Sequence, residues 1–347
     1  MSSTDQSKAL SIAATVMLGM MLIFAVSFTL KGLSKKKSAA RRYTKPVGLP
    51  EPSLAVSSNA IYELQSKFVA GYVFLRASVL TAGEPRLSAW FMLDSGTTSC
   101  LLTHDYAAQA GIQATGSTEI SAKKTTTVGT AHVDGFLVAS AQPGHSSMQV
   151  SPQMVTLLDD DSVVQSIVGG GRIIKENYGG ILGVPLLKEF NIVVDYRSQQ
   201  ILASRGPISN LGSLAATVPL EMSDPAYGKP SLIVPVSVNA VPAGYWIFDL
   251  GSDSSLITKH TAYQLGLNAG PPFQQLSLSD ASITSGSVRV HLSLGPASTS
   301  KQLLVDIPNA EIQALENYGG DLATDYFRLL GKIGISIQSS EFYVFNS

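Results

Sequence analysis

The sequence predicts an all-β chain folded as two similar lobes, preceded by one membrane-spanning helix. Three observations carry that expectation: the composition, a repeat that aligns without a gap, and a long uncharged run near the start. Of the 347 residues, 45% are hydrophobic and 14% charged, enough to bury two cores or one large bilobed one. Val, Ile, Leu, Ser and Thr are abundant, and short apolar runs are separated by turns drawn from 30 Gly and 17 Pro. Such runs favour strands over helices. The single cysteine, Cys100, excludes an internal disulfide and leaves the redox compartment open.

After a short tail, residues 1–8, the segment Ala9–Leu30 runs 22 residues without a charge. As a helix it crosses about 30 Å of hydrocarbon. Ala25-Val26-Ser27 offers a small-residue cleavage site, but the run is too long for a signal core and only Lys8 precedes it, so an anchor is the better reading. Seven Lys or Arg and no acid follow between Lys31 and Lys45. By the positive-inside rule this places the C-terminal domain in the cytoplasm; a basic stalk touching anionic headgroups, below a periplasmic domain, is the other reading. Residues 31–58 form a basic and then Pro- and Ser-rich linker. From Pro46 onward 16 basic residues face 24 acidic ones, so the folded part is acidic and unsuited to nucleic acid.

Thereafter one pattern occurs twice. Asp94-Ser95-Gly96-Thr97-Thr98-Ser99-Cys100-Leu101-Leu102-Thr103 lies over Asp249-Leu250-Gly251-Ser252-Asp253-Ser254-Ser255-Leu256-Ile257-Thr258. Thr103 and Thr258 are placed to cap short helices, His104 to Ala110 and Lys259 to Leu265, which Gly111 and Gly266 end. Glu176-Asn177-Tyr178-Gly179-Gly180 recurs as Glu316-Asn317-Tyr318-Gly319-Gly320. In each copy an apolar strand, a helical turn and a closing hairpin are expected to follow. These matches divide the folded part into lobes 59–208 and 209–347.

Each copy carries an acid between apolar runs, Phe91-Met92-Leu93 before Asp94 and Trp246-Ile247-Phe248 before Asp249. A buried carboxylate is costly unless it has a partner or a task. Two like units packed about a pseudo-twofold axis bring their loops face to face, so Asp94 and Asp249 are expected to meet. Two carboxyls sharing a site cannot both ionise cheaply and hold one proton between them. Such a pair supplies a base to activate water and an acid for the leaving group. Gly96 and Gly251 let the turns close, while Thr97 and Ser252, three places after each Asp, are expected to bond the carboxylates.

On these residues the chain resembles aspartic proteases of the retropepsin and pepsin superfamily. Met92-Leu93-Asp94-Ser95-Gly96-Thr97 matches the catalytic loop, and Ile181-Leu182-Gly183 the later apolar-apolar-Gly brace. The resemblance spans about Ile61 to Ser347. It implies a pepsin-like bilobed fold and an endopeptidase acting on polypeptides, with catalytic Asp94 and Asp249. It also implies loops supported by Ser95, Gly96, Thr97, Gly251, Ser252 and Gly183, with no cofactor and no metal. The second lobe departs from the pattern. Leu250 stands where a hydroxyl reaches across the seam, leaving Ser95 the sole grip; Ala323 replaces the bracing Gly and is expected to crowd the loop; Asp253 adds a third acid. A catalytically silent peptide-binding domain is therefore the alternative. The expected flap hairpin, about Ala122 to Val133, has no aromatic, and its counterpart lies around Ser279 to Val288.

Other signals read as structural. Asp159-Asp160-Asp161 reads as a solvated loop, and Gly169-Gly170-Gly171 as a loop tip. Five scattered His without HExxH spacing argue against a metal enzyme, and neither GxSxG nor GxxxxGK[ST] occurs. DSGTTS also fits a phosphorylated degron, but its apolar flanks argue for burial. Cys100 opposite Ser255 reads as a small filler, and Tyr178 and Tyr318 as packing residues. The expected assembly is a monomer with an internal pseudo-dimer, anchored in a bilayer.

Overall fold

The computed structural model describes residues 60–121, 125–158, 177–223, 230–268, 270, 274–278, 281–295, 301–308 and 315–346. The Ala9–Leu30 run, the basic linker, the acidic triplet at 159–161, the glycines at 169–171 and the tips of both candidate flap hairpins lie outside them. No described helix is long and apolar enough to cross a membrane.

The described chain is all-β, with three sheets and a few helices of six or seven residues. Each half builds its loop in the same way. In the first, Glu84–Leu93 runs parallel to Tyr178–Leu182, with Met92 opposite Ile181 and Leu93 opposite Leu182. Cys100–Thr103 packs antiparallel on the other side of Tyr178–Leu182 and parallel to Gln153–Leu158. In the second, Val241–Phe248 runs parallel to Gly320–Leu322, with Ile247 opposite Asp321 and Phe248 opposite Leu322. Leu256–Ile257 lies antiparallel to Gly320–Leu322 and parallel to Lys301–Pro308. A loop leaving one strand and returning on the far side of its parallel neighbour is pinned at both ends.

The repeated Gly pairs explain why these strands pack so closely. A Cβ at Gly179 would overlap the Phe91 ring, and at Gly319 the Ala243 carbonyl and the Trp246 indole. A Cβ at Gly180 or Gly320 would strike the carbonyl of Leu101 or Leu256. Only glycine fits where one backbone passes so near another.

The strand, helical turn and hairpin expected after each Gly pair are present. The first half has Tyr178–Leu182, the helix Val184–Glu189, and Asn191–Asp195 paired with Gln200–Ser204. The second has Gly320–Leu322, the helix Thr324–Leu330, and Lys332–Ser336 paired with Glu341–Phe345. The capped helices form at His104–Gln109 and Lys259–Gln264. Thr103 Oγ1 accepts from the Tyr106 amide and Thr258 Oγ1 from the Thr261 amide, and Gly111 and Gly266 follow at positive φ.

A six-stranded sheet joins the halves. Its order is Ile61–Leu64, Gln200–Ser204, Asn191–Asp195, Lys332–Ser336, Glu341–Phe345, Leu214–Pro219, three strands from either side of the connection. The two central strands are antiparallel, with Val193 opposite Gly334, as a twofold relation requires. Above it, Phe248, Phe327 and Phe342 cluster behind the second loop, while Phe91 packs edge-on to Tyr106 and Phe136 behind the first.

Candidate active site

Asp94 and Asp249 sit one residue past parallel strands, and the neighbouring strand fixes each backbone: the Asp94 amide donates to the Leu182 carbonyl and the Asp249 amide to the Leu322 carbonyl, each at 3.0 Å. Both side chains are buried, with exposures of 0% and 2%. They face each other within hydrogen-bonding reach. Each also lies against the glycine of the opposite turn. A Cβ at Gly96 would stand 2.8 Å from the carboxyl atoms of Asp249, and one at Gly251 would overlap the carboxyl of Asp94. Glycine is required at both places because a carboxyl occupies the space.

The two acids are held differently. Asp94 accepts from the Gly96 amide at 2.7 Å and from Thr97 Oγ1 at 2.6 Å. Asp249 accepts from the Gly251 amide at 2.6 Å, but Ser252 Oγ turns to the Ser254 carbonyl at 3.4 Å. The hydroxyl bond expected at both acids therefore forms at Asp94 alone. Burial raises the pKa of both, and hydrogen bonds from Thr97 and the turn amides pull Asp94 back. Asp249 is pushed well above the ordinary carboxylate range by burial, then by the neighbouring charges of Asp94 and Asp321. The pair therefore retains a proton where isolated carboxyls have lost theirs.

Across the seam, Ser95 Oγ accepts from the Leu250 amide and donates to the Phe248 carbonyl, both at 2.8 Å. Leu250, lacking a hydroxyl, is fully buried in the core. The grip is one-sided, as the sequence suggests, and both backbone groups it serves belong to the second loop.

The crowding expected from Ala323 does not occur. At Gly183 a Cβ would overlap the Thr97 and Ser99 carbonyls, and the next amide, Val184, donates to the Thr97 carbonyl at 2.9 Å. In the second loop the matching bond, Thr324 amide to Ser252 carbonyl, is 3.0 Å, and Thr324 Oγ1 donates to the same carbonyl at 2.9 Å. The Ala323 amide itself donates to Ser255 Oγ at 2.9 Å. Ser255, in the place of Cys100, supplies a polar brace, and the loop keeps its position with a methyl behind it. Cys100 is a buried filler whose thiol burial pushes up to about 12.

Asp253 lies near the pair, acting with Asp249 and Asp94 on Tyr72, and a further acid, Asp321, acts on Asp249 itself. Asp321 takes the place of Ile181 in the brace strand, is fully buried, and burial followed by the charge of Asp325 drives it far towards the neutral form. Asp253 is pushed up to about 6 by burial, then by Asp325. Aligning Ile181-Leu182-Gly183 with Asp321-Leu322-Ala323 carries the signal for Asp321. An apolar brace position hides it. Two tyrosines also reach towards the pair: the hydroxyls of Tyr72 and Tyr178 are buried without hydrogen-bond partners among the described residues, and burial followed by nearby aspartates raises both. Tyr178 packs edge-on to Phe74.

Of the candidate flaps, Gly116–Ser121 pairs with Thr125–Val133 and Gln274–Leu278 with Ala281–Leu294. No group of His, Cys, Asp and Glu among the described residues has the geometry to hold a metal.

This architecture is a pepsin-like fold. Solved structures with similar folds include basic 7S globulin from soybean, at 10% identity and a TM-score of 0.51, covering 83% of this chain and 95% of that one. Conglutin gamma, a basic 7S globulin from lupine seeds, matches at 13% identity and a TM-score of 0.50, over 83% and 96%. An aspartic proteinase from Irpex lacteus aligns at 10% identity and a TM-score of 0.49, over 83% and 98%; that last likeness supports no inference about activity. No protein-family description matches the chain, and no curated protein matches its sequence. The likenesses show the fold, and function rests on the residues within it.

Proposed function

We propose that the chain is a membrane-anchored aspartic endopeptidase, its anchor Ala9–Leu30 and its lobes 59–208 and 209–347, working as a monomer on polypeptide substrates. By the positive-inside rule the lobes face the cytoplasm. The observation that carries this reading is the pair itself: Asp94 and Asp249, on two equivalent loops, buried and facing each other within hydrogen-bonding reach. A water between them gives up a proton to the ionised acid and attacks the peptide carbonyl. The protonated acid stabilises the developing oxyanion, and the proton then reaches the leaving nitrogen. Ser95, Gly96, Thr97, Gly251 and Gly183 support this by holding both loops, and Ser252 braces the second through its carbonyl.

One observation favours a silent peptide-binding domain instead: Leu250 leaves the seam with half of a two-sided grip. Against it, the second loop keeps the strand and brace bonds of the first. The test incubates the full chain in detergent with a peptide library from about pH 3 to pH 7, the span over which carboxylate pairs titrate. Cleavage lost by about 10³-fold or more in Asp94→Asn and, separately, in Asp249→Asn supports the enzyme. Peptide binding without cleavage at any pH supports the silent domain.

A further inference from the structure

The strand register sets a tyrosine beside the pair. Tyr72–Thr81 runs antiparallel to Glu84–Leu93, with Phe74 opposite Met92 and Arg76 opposite Trp90. Carried two residues on, the same register puts Tyr72 across from Asp94, and residues so opposed show their side chains on one face. Tyr72 is 3% exposed, and its hydroxyl has no hydrogen-bond partner among the described residues. Ser66–Val69 folds back on this strand, with Val69 opposite Tyr72, through the two-residue turn Ala70-Gly71, both at positive φ, which fixes a tight hairpin tip. That tip rests on the other half. A Cβ at Gly71 would stand 3.1 Å from Thr324 Oγ1, and the Thr324 hydroxyl and amide both hold the carbonyl of Ser252, the residue before Asp253. Tyr72 and Asp253 thus approach each other across the seam, and Asp253 is the charge that weighs most on the phenol, ahead of Asp249 and Asp94.

The twofold-related corner is built differently. In the second half, Ile233 opposite Ile247 and Val234 opposite Trp246 carry Ser231 across from Asp249, and the place of Asp253 is taken in the first half by Thr98. One corner therefore joins a phenol to an acid, and the other joins two small hydroxyl residues. Asp325 and Asp306 add negative charge around Asp253, where the first half has Pro185 and Thr156. Among the described residues no Lys, Arg or His forms an ion pair with Asp253, and that includes Arg328, which lies beside the Gly71 tip. Asp253 is partly exposed while Tyr72 and the catalytic pair are buried, so this corner meets solvent on the side of its acid.

We propose that Tyr72 and Asp253 form a specificity subsite, one wall from each half, that takes an Arg or Lys side chain of the substrate beside the scissile bond. This rests on the protease reading for what happens to the peptide, but not for what is bound. The carboxylate pairs with the charged head, through two parallel bonds where that head is a guanidinium. The phenol accepts from the head or donates to the carboxylate and so gains the partner it lacks, and its ring gives the methylenes an apolar wall. An acidic side chain would meet Asp253 with no cation between them and is rejected. Because Tyr72 stands across from Asp94, the residue so recognised lies close to the bond that the pair cuts.

The test gives the full chain in detergent a set of short neutral peptides in which a single Arg is stepped through every position, each with a norleucine twin. The assay runs at about pH 6.5, where Asp253, pushed up to about 6 by burial and Asp325, is mostly ionised. At one position near the cut the Arg peptide is expected to exceed its twin in kcat/KM by about tenfold or more; equal rates at every position overturn the proposal. Asp253→Asn is expected to bring that ratio within about threefold of one, and Asp253→Lys to make a Glu peptide the better substrate. Tyr72→Phe is expected to lower the ratio by about threefold. A ratio kept in both Asp253 variants, with native near-UV circular dichroism, overturns the subsite, and one unmoved in Tyr72→Phe overturns its two-walled form. If no peptide is cleaved, calorimetric binding of the same twins decides. An Arg preference lost in Asp253→Asn then sustains the subsite and overturns the protease, whereas equal affinities or no binding overturn the subsite.

Discussion

Ser95 and Leu250 stand one residue after each aspartate, yet one hydroxyl carries the whole contact across the seam, serving the Leu250 amide and the Phe248 carbonyl. Removing it orphans two buried backbone groups, at about 1–3 kcal/mol for each such group. Ser95→Ala is therefore expected to lower the unfolding free energy by about 2 kcal/mol, and to reduce kcat more than it raises KM, since the second loop loses its tie to the first. Urea unfolding and steady-state kinetics measure the two effects; unchanged stability would mean the contact is replaceable by water. Gly96→Ala asks a different question. Its Cβ would stand 2.8 Å from the Asp249 carboxyl, so the pair must separate, and peptide cleavage should vanish while the near-UV circular dichroism stays native. Asp94, Asp249, Gly96, Gly251 and Thr97 were readable because an acid followed by a tight turn between apolar runs has little other use. Asp321 was not, because the brace is read as an apolar slot and only the comparison of Ile181 with its partner shows the exchange. The Ser252 hydroxyl was not readable either: its place in the repeat matches Thr97, but it donates to the Ser254 carbonyl within its own turn.

The elements that carry the loops are set by local chemistry visible along the chain. Thr103 and Thr258 cap their helices through hydrogen bonds to the Tyr106 and Thr261 amides. Replacing either by Ala should cost about 1 kcal/mol, read from the shift in urea midpoint at constant slope. The five-residue repeat ending in Gly179-Gly180 and Gly319-Gly320 was visible as identity, but its cause is a distance no sequence prints. Strand Tyr178–Leu182 passes so near Cys100–Thr103 that a Cβ at Gly180 meets the Leu101 carbonyl, and its φ of +142° disfavours other residues. Gly180→Ala is expected to prevent stable folding of the first half, measured as loss of a cooperative transition; a cooperative Gly180→Ala protein would contradict the close approach. Ala323 illustrates the converse. A methyl replaces the bracing glycine, and the Ser252 carbonyl is held by the Thr324 amide, as the Thr97 carbonyl is by the Val184 amide, with the Thr324 hydroxyl added, a contribution that lies one residue beyond the motif.

At the scale of the molecule, the halves share one sheet through Asn191–Asp195 and Lys332–Ser336, while the acids gather in the second half. Buried acids with raised pKa make the fold depend on pH in one direction. Burial, then the charge of Asp325, pushes the Asp253 carboxyl of the folded chain up to about 6, against about 3.9 in the unfolded chain. Between those values the native state holds a proton that the unfolded chain has released, so stability falls as pH rises through the window and the loss is complete above it. Asp306 and Asp325, also raised by burial, add to the same slope. Unfolding free energy should therefore be greater at about pH 4.5 than at about pH 7.5, and Asp253→Asn should remove about 1–3 kcal/mol of that difference; denaturant titrations at the two pH values decide it. The twofold relation behind this asymmetry was legible in the repeats, whereas the acid cluster was not, because its members lie far apart in sequence and meet only when Gly320–Leu322 enters between Val241–Phe248 and Leu256–Ile257. The claim beneath all of this is that one hydrogen ion is shared by two acids across the seam. Neutron diffraction from crystals exchanged into heavy water tests it most directly. The expected map shows a single deuteron on the Asp94–Asp249 pair with both carboxyls in contact or bridged by one water; two bare carboxylates, or acids separated beyond one water, would contradict it.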